Sequence, residues 1–139
     1  MIIIDEILKQ LINNNCLSEM EDARFEKDGV SLLMEYLGYG PMGGHALRIV
    51  RCLNGSDLEM HFEKRSLCWL PYYLRDSRTE TEIFLYGYVG ARQGLHVDTE
   101  AGSTLIQRAC LLEMNLRAHG FDRLSDENLY HPLFAGGVS

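Results

Sequence analysis

Positive charge is in short supply here: 13 Lys and Arg stand against 20 Asp and Glu, a formal net charge of −7. The basic residues are scattered and form no stripe, which argues against a nucleic-acid partner. Long apolar runs are also missing. No segment approaches the roughly twenty apolar residues that span a bilayer. The opening MIIIDEILKQLI lacks a basic start and carries Asp5 and Glu6 within its apolar run, so no signal peptide is expected. The cysteines Cys16, Cys52, Cys68 and Cys110 include no C-x-x-C pair. They read as reduced thiols in a cytoplasmic protein. His45, His61, His96, His119 and His131 include no H-x-x-x-H pair, so no metal site and no cofactor are expected.

What remains is ordinary globular material, 46% hydrophobic and 24% charged over 139 residues. That is one domain with room for a single core. Residues 1–120 read as this domain and 121–139 as a C-terminal tail. Ile4, Ile7, Leu8, Leu11 and Ile12 recur at helical spacing and predict an N-terminal helix. Asp28-Gly29 and Asn54-Gly55 each separate two strand-like runs and predict two-residue hairpins. The first sets Phe25 opposite Leu32 and Ala23 opposite Met34. The second sets Ile49 opposite Met60 and Leu47 opposite Phe62, with Arg48 opposite His61 on the other face. A third hairpin, residues 82–90 with 95–98, is joined by ARQG. Leu105, Ile106, Ala109, Leu112 and Leu116 mark a long C-terminal helix, capped by Asp98 or Thr99 at its start and Gly120 at its end. The expected fold is α+β: one antiparallel sheet built from three hairpins, with an N-terminal and a long C-terminal helix packed on it. SLCWLPYYLRD stays ambiguous, because Pro71 suits either a helix start or the end of an extended stretch.

Gly38-Tyr-Gly40-Pro-Met-Gly43 matches the dinucleotide pattern G-x-G-x-x-G letter for letter. The fingerprint needs a helix directly after the glycines. HALRIVRCL would make fewer than three turns of helix and runs straight into Asn-Gly and an alternating strand. Pro41 also removes one of the amides that would approach a phosphate. The segment therefore reads as a loop between strands.

The candidate sites are few. In EIFLYGYVG, Ile83, Leu85 and Val89 face one way while Phe84, Tyr86 and Tyr88 face the other. Such a strand either lies centrally or offers a contact face. Trp69, Tyr72 and Tyr73 form a second aromatic group, of a kind enriched at interfaces. An alternative polar site draws on Cys52, His61 and His96, with Asp98 placed to orient His96. Glu59 and Glu63, flanking His61 with Arg48 nearby, read as the solvated face of the sheet. No catalytic residue is assigned.

A helix–sheet–helix layout in an acidic chain of this size is similar to that of bacterial secretion chaperones and small toxin-immunity proteins. The likeness is one of layout and charge. It implies a non-enzymatic cytoplasmic protein, expected as a homodimer, that binds a basic or apolar protein in an adaptor, chaperone or immunity-like role. The rival is a small-molecule-binding or hydrolytic domain whose aromatic pocket carries the His and Cys groups. Neither a nucleic acid nor a membrane is an expected partner.

Overall fold

The computed structural model describes residues 22–66, 68–88, 95–123 and 129–130. Strands β1 (Ala23–Lys27) and β2 (Val30–Tyr39) form the first hairpin, and β3 (His45–Leu53) and β4 (Ser56–Arg65) the second. Asp28, Gly29, Asn54 and Gly55 all have φ between 52° and 79°. Both turns thus have the backbone twist that matches the twist of the strands they join. The cross-strand pairs are those the apolar alternation requires: Phe25 with Leu32, Ala23 with Met34, Ile49 with Met60, and Leu47 with Phe62.

The segment containing Pro71 is a strand, β5 (Cys68–Asp76), paired with β4 on one side and with β6 (Thr81–Phe84) on the other. Pro71 is tolerated because β6 pairs only with Tyr73 to Asp76. Along the earlier half of β5 there is, among the described residues, no second ladder for its missing N–H to break. The strands follow one another as a meander, in the order β6-β5-β4-β3-β2-β1, and β9 (Leu129–Tyr130) adds to the β1 edge.

The third hairpin forms, but outside this sheet. The aromatic run breaks at Leu85. Its first part is β6, and its second, β7 (Tyr86–Tyr88), pairs with β8 (Leu95–Val97) as a separate two-stranded sheet. The run is therefore at the sheet edge rather than central.

The C-terminal helix, α1 (Thr99–Ala118), is capped by the Asp98 carboxylate, which accepts from the Glu100 and Ala101 N–H groups. It closes on Gly120, at φ 78°, whose N–H bonds to the Arg117 carbonyl. Leu105, Ala109, Leu112 and Leu116 turn onto one face of the sheet, against Phe25, Leu32, Met34, Ile49, Met60, Phe62 and Leu74. Ile106 faces outward, one position off the buried stripe. Phe121, the first residue of the expected tail, is fully buried in this core, within a short 3-10 turn at Phe121–Arg123. The expected helix over residues 4–12 lies outside the described residues. Among those described, no helix is long and apolar enough to cross a membrane.

Candidate functional site

The sheet face turned away from α1 carries a line of polar and aromatic side chains. At its centre Arg48 bonds to Glu35 and, from Nε, to Glu59 Oε2 at 2.9 Å. Glu59 Oε2 also lies 2.7 Å from His61 Nε2. Burial works to raise the Glu59 carboxyl, but hydrogen bonds from Arg48 and His61 outweigh it and hold the group below the usual carboxylate range. The bond to Glu59 raises Arg48 further, against burial. Glu35–Arg48–Glu59–His61 is thus a fixed hydrogen-bonded chain across three strands.

Next to His61 the β4–β5 register shifts by one residue: His61 pairs with Tyr73, and Phe62 pairs with Pro71. Tyr72 is the extra residue. In a regular strand Tyr72 and Tyr73 would point to opposite faces. Here the rings of both reach His61, with centroids at 5.8 and 4.6 Å. Phe84 packs on Tyr73 at 5.1 Å and Tyr86 lies 6.5 Å from Tyr72. The Tyr73 hydroxyl donates to Glu82 at 2.6 Å, and burial together with that bond pushes it up to about 12. Burial, then the charge of Glu63, raises Tyr72 as well. The bulge thus gathers four of the six aromatic candidates into one corner. Phe84, at 55% exposed, is its outermost ring.

The other candidates stand elsewhere. Trp69, 8% exposed, belongs to the hydrophobic core, because it shares the Phe62 side of β4–β5. It is a packing residue rather than a contact residue. Tyr88 is the last residue of β7, opposite Leu95. Cys52 does share the His61 face, but it pairs with Asp57, four residues or about 13 Å along β4 from His61. Burial, then Asp57, raises its thiol, which disfavours the nucleophilic thiolate. His96 is exposed on β8, opposite Gly87, and the Asp98 carboxylate expected to orient it is occupied as the helix cap. Cys52, His61 and His96 therefore do not converge. No group of three or more His, Cys, Asp or Glu able to hold a metal occurs among the described residues.

Glu63 shares the sheet face of Glu59 and His61 but is not solvated there. It is 2% exposed and sits beneath the glycine loop between β2 and β3. Its carboxylate accepts from the Gly44 N–H at 2.7 Å and the Met42 N–H at 3.0 Å. The amides that a nucleotide phosphate would need are turned inward onto the protein's own carboxylate. The glycines are explained by the same contact: a Cβ on Gly40 would lie 2.8 Å from Glu63 Cδ, and one on Gly44 2.3 Å from the Lys64 carbonyl oxygen. The loop is a lid on Glu63, built into the scaffold. The glycine spacing was the one signal for it in the sequence; Glu63 fits the strand alternation, and only the fold brings the two together.

No family model matches this chain, and no characterised protein or solved structure matches it.

Proposed function

We propose that this chain is a non-enzymatic cytoplasmic protein that self-associates through the corner formed by Tyr72, Tyr73, Phe84 and Tyr86 and, as the dimer, binds another protein. The observation that carries the reading is Phe84, more than half exposed and packed at a tilt against the Tyr73 ring, on the sheet face opposite α1. Exposed aromatics backed by fixed neighbours bring large contact area at little cost in side-chain entropy. The hydrogen-bonded chain from Glu35 to His61 supports a binding role over a catalytic one, since each of these groups already has its partner.

The occupant assigned to the corner is a second copy of the chain. β6 is the last strand of its sheet, with its outer edge unpaired among the described residues. A second copy can meet that edge across a two-fold axis. The net charge of −7 then favours a basic or apolar protein as the partner of the assembled dimer. Cys52, Cys68 and Cys110 form no disulfide, in keeping with a reducing compartment. Replacing Phe84 with Ser tests the reading: self-association should weaken while the thermal midpoint stays nearly constant.

A further inference from the structure

On the helix-covered side, where the β3–β4 turn meets the second half of α1, there is an open cavity of about 480 Å³. That is large enough for a small organic ligand. Three guanidinium groups line it: Arg51 from β3, Arg78 from the β5–β6 turn and Arg108 from α1. Asp76 is the single carboxylate in the lining.

Asp76 is already committed. It accepts from Arg108 Nη2 at 2.5 Å and from the Arg78 main-chain N–H at 3.0 Å. Arg51 donates from Nη1 to the amide oxygen of Asn115 at 3.0 Å, while its Nε is buried with no hydrogen-bond partner among the described residues. Three like charges are thus gathered around one acid, in a protein that is acidic as a whole. Burial lowers the affinity of Arg51 for its proton, and Arg78 and Arg108 add to this against Asp76. An anion in the cavity would relieve that repulsion and occupy guanidinium donors that protein groups leave unused.

We propose that this cavity binds a small phosphate monoester with an apolar organic group, its phosphate held by Arg51, Arg78 and Arg108. A phosphate monoester carries between one and two negative charges at neutral pH, matching the two guanidiniums left over after Asp76. The fork of arginine donors suits its oxygens. The apolar group would lie against Leu53 and Leu111, which line the same cavity.

The test is calorimetric titration of the full chain with phenyl phosphate at low ionic strength, with inorganic phosphate and benzoate as comparison probes. Phenyl phosphate should saturate the protein and bind more tightly than either. Arg51→Gln and Arg78→Gln should each weaken it on the order of tenfold. Arg78 is exposed, so its variant keeps the fold even if the half-buried Arg51 variant does not. Arg75→Gln makes the same charge change on the opposite face of β5 and should bind as the wild type does. Absence of saturation would overturn the proposal, as would equal losses in the Arg75 and Arg78 variants. Benzoate or inorganic phosphate binding as tightly as phenyl phosphate would overturn the ligand class.

Discussion

Glu63 Oε2 lies 2.7 Å from the main-chain nitrogen of Gly44, and this contact fixes the loop that joins β2 and β3. The carboxylate takes the place of a bound anion, and Gly44 leaves no room for a side chain above Lys64.

Glu63→Gln should therefore cost about 2 kcal/mol, because its amide replaces one of two charged acceptors with a donor facing N–H groups. Gly44→Ala should cost at least about 2–3 kcal/mol, since its methyl would meet backbone rather than a side chain that can swing away. Its neighbour Gly43, at φ +88° with open space around its Cβ position, should cost only about 1 kcal/mol as Ala. Urea denaturation of the three variants checks the order. Equal losses at the two glycines would contradict the packed-loop account.

Asp76 and Glu59 make the fold sensitive to acid. Burial works to raise each carboxyl, but Arg108 and the Arg78 N–H at Asp76, and Arg48 and His61 at Glu59, outweigh it and depress both. The native state therefore favours the ionised forms. Their stabilisation is complete above the ordinary carboxylate range near about pH 4 and is lost as pH falls through the depressed folded values. Asp76→Asn should lower stability at neutral pH by about 2 kcal/mol and flatten the acid limb. Denaturation midpoints measured from neutral pH downward test this, and an unchanged acid limb would contradict it.

Tyr73 should be among the last tyrosines to ionise. Its hydroxyl is pushed up to about 12 by burial and by the bond to Glu82, so the native state favours the neutral, donating form. The stabilisation is fully present below the ordinary tyrosine value near about 10 and is lost as pH rises through the folded value. Ultraviolet titration should show a late phenolate step that Tyr73→Phe removes and Glu82→Gln moves to lower pH. A late step persisting in Tyr73→Phe would assign it elsewhere.

Much of this architecture is legible in the sequence where short-range rules decide it. Asp28-Gly29 and Asn54-Gly55 set both hairpin registers, and Asp98 and Gly120 bound the helix. Legibility fails where distant segments decide. Pro71 reads ambiguously because its tolerance depends on how far β6 extends along β5. The bulge at Tyr72 is a mismatch between two strands and leaves no periodicity of its own. Glu63 alternates like a surface residue until the glycine loop closes over it. Arg51, Arg78 and Arg108 meet only because the turns and α1 converge. Of the proposed contact residues, the aromatic types were readable from the sequence, but the separation of Trp69 from Tyr73 needed the register.

We propose the Phe84–Tyr73 corner as the contact surface between copies of the chain. Solution mass by light scattering across a concentration series, for the wild type and Phe84→Ser together, tests it most directly. The wild-type mass should rise to that of a dimer, and the variant should stay monomeric with nearly the same thermal midpoint. A wild type that is monomeric throughout, or a variant that dimerises equally well, would contradict it.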